Sequence, residues 1–162
     1  PFERSLRFVL FQVWGITAIL NISPLFICCA IVRLIPLTHI LPFSTIYFEK
    51  FLSFHLIERS HDLFRSTSIL FKKLKIKPTK FIYGDGYKGL KNECPFDGII
   101  VTAGSPVIPD NLMLQLKIGG RMIIPVGEKT QVMTRITRYG IKDFKKESFG
   151  NFKFVPMLKE RD

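Results

Sequence analysis

An apolar strand in which polar residues do not alternate constrains the fold more than any other feature of this sequence. The stretch "GIIVTAG" runs from Gly98 to Gly104. A strand with one face in water alternates apolar and polar residues, so this pattern indicates a parallel sheet covered on both faces by helices. Further strands are predicted in "KFIYG" and "RMIIPVG", with helices between them. The chain is therefore predicted to be an α/β protein with a doubly wound, mostly parallel sheet of the Rossmann-like type.

The first predicted helix covers "SHDLFRSTSILFKKLK". Ser60 is a suitable N-cap, Asp62 lies in the first turn, lysines crowd the last turn, and Pro78 prevents continuation. Helical spacing predicts that one face of this helix is buried. The residues expected on that face are Leu63, Thr67, Leu70, Phe71 and Leu74.

The chain after Pro109 is predicted to form a second helix and then two late strands. The helix is expected to open at Pro109 and to carry Leu112, Met113 and Leu116. It is expected to close at the glycine pair in "IGG", because glycine readily adopts the left-handed backbone form. The segments "QVMTRITRYG" and "FKFVPML" are then predicted to pair as antiparallel strands.

The composition changes abruptly near Ile57, which divides the chain into residues 1–56 and residues 57–162. From Phe8 to Phe48 the only charged residue is Arg33, and the uncharged run Phe8–Val32 is long enough to cross a bilayer as a helix. Three interpretations of residues 1–56 follow. They form a membrane anchor, an apolar region buried against the rest, or a segment foreign to the domain, such as a translation in a shifted reading frame.

The net charge and the cysteines bear on the partners and the cellular compartment of the protein. The formal net charge is +11, but the positive residues are dispersed except in "FKKLKIKPTK". No nucleic-acid-binding motif accompanies them, so no nucleic acid is expected as a partner, and a basic binding module stays a minor alternative. The three cysteines Cys28, Cys29 and Cys94 have no metal-binding spacing and favour a reducing cytoplasm.

Three strand ends carry residues suited to a nucleoside ligand, which in an open parallel sheet binds outside the carboxyl ends of the strands. Glu58 ends "HLIE", Asp85 lies in the turn "GDGYKG", and the small residues Thr102–Ser105 follow "GIIV". An acid past a strand can accept ribose hydroxyls, an acid in a glycine turn can meet adenine, and small side chains leave room. The alternatives are that Glu58 favours the start of the next helix, Asp85 serves its turn, and the small residues allow close packing.

Four blocks in order carry a resemblance to a known family: "GDGYKG", "FDGIIVTAGSPVIP", "LKIGGRMIIPVGE" and "FKFVPML". Together with "IERSHDLF", they make residues Ile57–Leu158 similar to the carboxyl-terminal part of protein-L-isoaspartate (D-aspartate) O-methyltransferases. The resemblance implies a class I enzyme dependent on S-adenosyl-L-methionine. It would methylate the α-carboxyl of isoaspartyl residues in damaged proteins, as a cytoplasmic monomer.

The resemblance also implies roles for particular residues, although it names no catalytic residue and no metal ligand. The acid at Glu58 would bind the ribose, and Asp85 and Gly86 would contact the adenine. The implied cofactor-binding residues are Glu58, Asp85, Gly86, Thr102 and Ala103. The implied substrate-binding residues are Gly104, Ser105, Pro106, Val155 and Pro156.

The chain departs from the family pattern before Glu58. The family has a G-x-G-x-G-Y turn there, whereas residues 1–56 contain a single glycine, Gly15. We therefore expect the fold to be incomplete at its amino-terminal side, without the first strand and the first glycine loop. Two functions follow: an active isoaspartyl methyltransferase, or a catalytically dead or truncated relative that contacts a membrane through Phe8–Val32.

Overall fold

The computed structural model describes residues 6–11 and 52–160. Within these residues the chain forms seven strands and two α-helices around one sheet. The strands are β1 (Leu6–Phe11), β2 (Leu52–Glu58), β3 (Lys80–Tyr83), β4 (Phe96–Val101), β5 (Leu116–Val126), β6 (Gln131–Arg138) and β7 (Phe144–Phe152). The helices are α1 (His61–Leu74) and α2 (Asp110–Leu114), and a short 3-10 turn covers Gly86–Lys88.

The strands follow the order β3-β2-β1-β4-β5-β6-β7. Pairing is parallel from β3 through β5 and antiparallel from β5 to β7. The predicted Rossmann-like, mostly parallel α/β fold is thus confirmed. The expectation that a central strand is missing is wrong, because β1 lies between β2 and β4. In that position Leu6 pairs with Leu52, and Phe8 pairs with Gly98.

The structure tests the amino-terminal predictions only in part. The uncharged run Phe8–Val32 begins in β1, so its first four residues belong to the sheet and not to a helix. The remainder of that run lies outside the described residues, and the division after residue 56 stays a prediction. Within residues 6–11 and 52–160, no helix is long and apolar enough to span a membrane.

Helix α1 confirms the first helix prediction, and it covers one face of β2 and β3. Thr67 and Phe71 are buried, and the Phe71 ring meets that of Phe81 at a centroid distance of 5.3 Å. Leu74, which was predicted on the same face, is 45% exposed. The reason is that the helix ends there, with Lys75 in the left-handed conformation at a φ of 56°.

Helix α2 is shorter than predicted. Leu116, expected in the helix, is the first residue of β5 and pairs with Phe96. The next pair along the two strands is Gly98 with Arg121, so β5 bulges between these pairs. Gly119 lies in this bulge with a φ of 85°. The glycine pair therefore allows a strand irregularity and does not end a helix.

The late antiparallel pair exists, but its second strand was predicted wrongly. The partner of β6 is β7, and only Phe152 of the segment "FKFVPML" belongs to it. Across this pair, Arg135 donates two hydrogen bonds to Glu147 at 3.0 and 3.1 Å, and this contact lowers the pKa of the Glu147 carboxyl. The rest of "FKFVPML" turns back toward the end of β4.

Arg138, the last residue of β6, connects α2 to the turn that precedes β7. Its guanidinium donates to four carbonyl oxygens. These belong to Leu114 (2.9 Å), Leu116 (2.6 Å), Gly140 (3.0 Å) and Ile141 (3.1 Å). A single ammonium group cannot reach acceptors in so many directions.

Arg138→Lys is therefore expected to lower the free energy of unfolding by about 1–3 kcal/mol, because carbonyl groups lose their donors. Urea unfolding followed by circular dichroism would measure the change. Arg65→Lys, on the exposed side of α1, is the matched control and should stay within about 0.5 kcal/mol of the parent. Equal urea midpoints for the two variants would show that the guanidinium bonds of Arg138 do not stabilise the fold.

Candidate active site

The carboxyl ends of β2, β1 and β4 lie level with one another. Phe11 of β1 pairs with Ile57 on one side and with Val101 on the other. Glu58 and Thr102 each follow these partners directly. Since neighbouring strands lie about 4.8 Å apart, the two residues are roughly 10 Å apart at one edge of the sheet, with β1 between them.

The turn that carries Asp85 lies beside Glu58 at the same edge. Tyr83 pairs with Glu58, and the Gly84 amide donates to the Glu58 carbonyl at 2.9 Å. The Asp85 carboxylate accepts a hydrogen bond from the Tyr87 amide at 2.9 Å and so caps the 3-10 turn. The structure thus places the predicted Asp85 and Gly86 next to the end of β2.

A cavity of about 530 Å³ lies against this turn. Its volume falls within the range of about 300–1,000 Å³ that is usual for small-molecule sites. Its residues combine apolar side chains with the charged side chains of Asp85, Lys88 and Glu160. They are Ile57, Ile82, Gly84, Asp85, Lys88, Gly89, Leu90 and Glu160. A cavity that combines apolar surface with carboxylates suits a flat aromatic ring that bears a hydrogen-bond donor.

The side chain of Glu58 serves the chain itself in this arrangement. It is 0% exposed, and its Oε1 accepts a hydrogen bond from the Ser60 amide at 2.9 Å. Ser60 occupies the N-cap position of α1. In this structure the Glu58 side chain therefore supports the start of the following helix, which was the alternative role considered for it.

The five residues predicted to contact substrate lie together. Gly104 forms a parallel bridge with Pro156: its amide donates to the Val155 carbonyl at 2.8 Å, and its carbonyl accepts from the Met157 amide at 2.7 Å. Pro106 and Pro156 are exposed, and Val155 is 39% exposed. The structure thus brings the five residues together, with Pro106, Val155 and Pro156 exposed and Gly104 and Ser105 buried beneath them.

The small residues after β4 do not leave an open recess, which corrects that interpretation. Ala103 and Ser105 are fully buried, while Thr102 is partly exposed. A Cβ atom on Gly104 would come within 2.8 Å of Cγ and Cδ of Gln131. Glycine is required at position 104 because Gln131 approaches it closely, and the space beside it is filled by the protein.

Gln131 is a residue that the sequence analysis missed. It is 2% exposed, its Nε2 donates to the Glu128 carbonyl at 2.7 Å, and its Oε1 accepts from the Phe154 amide at 2.8 Å. It thereby holds the segment that leads to Val155. A glutamine at the start of a strand gives no periodic or turn signal that could have identified it.

Gln115 plays the same part beside the cavity and was also missed. Its Oε1 accepts from the Leu90 amide at 2.7 Å, and its Nε2 donates to the Lys88 carbonyl at 3.0 Å. Gly89, between these two residues, has a φ of 63° and packs directly against the Gln115 side chain. Gln115 therefore shapes the wall of the cavity without lining it.

Asp97 and His55 lie away from this edge, toward the other end of the sheet. Asp97, near the amino end of β4, accepts two hydrogen bonds from Lys117 at 2.8 and 2.9 Å. His55 is buried, with its ring against Phe96 and its Nε2 3.6 Å from a Glu93 carboxylate oxygen. Among the described residues, no group of three or more His, Cys, Asp or Glu side chains could hold a metal ion.

The sheet order and the cavity at its carboxyl edge define a protein of the Rossmann-like class with a candidate ligand site at the ends of its parallel strands. The fold matches a protein assigned as a protein-L-isoaspartate O-methyltransferase of Plasmodium falciparum, solved with S-adenosyl-L-homocysteine. The TM-score is 0.68 and the identity 24%, covering 96% of this chain and 67% of that one. A second structure, of a protein-L-isoaspartate O-methyltransferase, matches with a TM-score of 0.66 and 19% identity, covering 94% of this chain and 42% of that one.

Sequence comparison assigns the family. The family model described as protein-L-isoaspartate(D-aspartate) O-methyltransferase matches residues 43–162, and the chain belongs to that family, which confirms the resemblance. The protein-L-isoaspartate O-methyltransferase of Flavobacterium johnsoniae is 55% identical over 106 residues, covering 65% of this chain and 50% of the relative. That of Aliivibrio fischeri is 42% identical over 102 residues, covering 63% and 49%. The chain spans about half the length of these curated relatives.

Proposed function

We propose that this chain binds S-adenosyl-L-methionine and transfers its methyl group to the α-carboxyl of L-isoaspartyl residues in damaged proteins. The observation that carries the proposal is the meeting of two surfaces at one sheet edge. One is the cavity beside Asp85, and the other is the exposed segment at Val155 and Pro156, which is paired with Gly104. Family membership supplies the reaction that such an edge would perform.

The cofactor residues fit an adenosine at the adenine end. Ile57 and Ile82 offer apolar surface to the ring, and the Asp85 carboxylate can accept a hydrogen bond from the exocyclic amino group. Thr102, which is partly exposed, would border the cofactor on the side of β4, with the buried Ala103 behind it. Glu58 keeps acceptor sites beside the one that the Ser60 amide occupies, but the ribose hydroxyls would have to reach a carboxylate that is buried in this structure.

The substrate residues offer a surface and no acid or base. Methyl transfer from a sulfonium needs the carboxylate held in line with the methyl group more than it needs proton transfer. Pro106, Val155 and Pro156 would contact the peptide. Gly104 holds Val155 and Pro156 in place through main-chain bonds, and the main chain of Ser105 is bonded to the end of β5. The chemistry supplied by this chain is therefore positioning.

A catalytically dead or truncated relative is the second candidate. Gly15 is the single glycine in residues 1–56, so the family's glycine-rich turn is missing from that part of the sequence. Glu58 is fully buried, and Gln131 fills the space beside Gly104. The missing turn and the filled space favour a chain without turnover, in which the cavity beside Asp85 would still bind the adenine end of the cofactor. In either case we propose a cytoplasmic monomer, with membrane association through Phe8–Val32 as the alternative.

One experiment separates these candidates. Calorimetry would measure binding of S-adenosyl-L-homocysteine to the purified full chain, and a methyl ester assay would use an isoaspartyl peptide. The matched control is the same peptide with an ordinary aspartate. Binding together with esterification of the isoaspartyl peptide alone supports the enzyme. Binding without esterification supports the inactive relative, and absence of binding overturns both.

A further inference from the structure

Tyr87 lies between the two proposed subsites and contacts both. Its amide donates to the Asp85 carboxylate at 2.9 Å. Its hydroxyl donates to the Met157 carbonyl at 3.1 Å and lies 3.3 Å from the Ser105 hydroxyl oxygen. The side chain is partly buried against the central core, so its ring is held by packing as well as by hydrogen bonds. One residue thus joins the turn of the cofactor cavity to the segment of the substrate surface.

The segment that Tyr87 contacts crosses the carboxyl edge of the sheet. It is bound at one end by the main chain of Gly104 and by Gln131, which accepts from the Phe154 amide. At its other end the Glu160 carbonyl accepts a hydrogen bond from Arg59, which follows β2. The hydroxyl of Tyr87 holds the middle of this segment. Without this hydroxyl, the main-chain bond to Gly104 would be the main hydrogen bond that holds the chain near Met157.

We propose that Tyr87 is a positioning residue that couples occupancy of the Asp85 cavity to the placement of the peptide-binding segment. The inference rests on the proposed function. A ligand that donates a hydrogen bond to the Asp85 carboxylate also fixes the turn whose Tyr87 amide that carboxylate holds. Fixing the turn restricts Tyr87 and the Met157 carbonyl bound to it, so part of the ordering cost of peptide binding is met before the peptide arrives.

Tyr87→Phe in the full chain tests the coupling, because it removes the hydroxyl and keeps both the ring and the amide. We expect the KM for an isoaspartyl peptide to rise between about two- and ten-fold, the effect of one lost hydrogen bond. The kcat and the affinity for S-adenosyl-L-homocysteine should stay within about two-fold of the parent, since Asp85 keeps its amide partner. Tyr139→Phe, at a residue that is 57% exposed, is the matched control and should change none of these.

Amide hydrogen exchange gives a readout that needs no turnover. Exchange of the Met157 amide, which is bonded to the Gly104 carbonyl, should be about two- to ten-fold faster in Tyr87→Phe. S-adenosyl-L-homocysteine should slow this exchange in the parent and in Tyr139→Phe but not in Tyr87→Phe. A parent that exchanges as expected but does not bind S-adenosyl-L-homocysteine would end the proposed function and the coupling, while the structural tie of Tyr87 to Met157 would stand.

Two results would overturn the inference even if the enzyme is active. In the first, Tyr87→Phe leaves both the Met157 exchange and the peptide KM unchanged, so that the hydroxyl holds nothing. In the second, the variant loses affinity for S-adenosyl-L-homocysteine by about ten-fold or more with no change in KM. That result would make Tyr87 part of the cofactor site and not a link between the two sites.

Discussion

Gly104→Ala is expected to lower the free energy of unfolding by about 1–3 kcal/mol, because the added methyl group overfills a closely packed space. The new Cβ would lie 2.8 Å from two carbons of Gln131. Gln131 cannot move aside cheaply, since it is buried and hydrogen bonded at both amide atoms, to the Glu128 carbonyl and the Phe154 amide. The same displacement would shift the segment leading to Val155, so peptide binding should weaken with stability.

Urea unfolding of a double-mutant cycle measures this contact. Gln131→Ala alone removes the anchor of Phe154, and the Gly104→Ala/Gln131→Ala double variant should lose about 1 kcal/mol less than the sum of the single variants. Gly84→Ala is the matched control, because a Cβ there meets its neighbours at 3.6 Å or more. Strict additivity, or a Gly104→Ala variant as stable as the parent, would show that the close approach does not constrain position 104.

Asp85→Ala is expected to weaken binding of S-adenosyl-L-homocysteine by about 10- to 100-fold, the effect of losing a hydrogen bond to a charged acceptor. The carboxylate is the acidic group of the turn against which the cavity lies. Calorimetric titration of the full chain would measure the change. Asp110→Ala, which removes an exposed acid from the first turn of α2, is the matched control and should bind as the parent does.

Asp85→Asn separates recognition from turn geometry. The amide oxygen can still accept from the Tyr87 amide, so the 3-10 turn should persist while the charge is lost. Its affinity should fall between those of the parent and of Asp85→Ala. If Asp85→Ala binds S-adenosyl-L-homocysteine as the parent does, the adenine does not lie in this cavity, and the cofactor assignment of Asp85 and Gly86 is wrong.

Local patterns in the sequence predicted the features that depend on neighbours along the chain. The limits of α1 follow from Ser60 and from the residues before Pro78, and the apolar run at Ile99–Val101 indicated a strand covered on both faces. The turn at Asp85 was identified from its glycines. Each of these patterns is set by residues within a few positions of one another, where periodicity and turn chemistry are decisive.

Predictions from local patterns were wrong where the pairing of strands within the sheet determined the structure. The glycines after Leu116 looked like a helix end, yet they form a bulge, because β5 must pair with β4 from its first residue. The segment "FKFVPML" was predicted to be the partner of β6, but β7, which precedes most of that segment in the chain, occupies this position. The central place of β1 was also missed, since its apolar residues were grouped with the uncharged run that follows them.

The amino-acid order by itself determined the α/β class, the positions of most strands and the family, because these depend on short-range patterns and on blocks that can be compared directly. Only the tertiary structure decided that Gln131 fills the space at Gly104 and binds the Phe154 amide, 23 residues away. The same holds for the contact of Tyr87 with Met157, 70 residues away. Such contacts arise when the sheet brings distant segments to one edge. No local pattern records which side chain will meet which backbone group there.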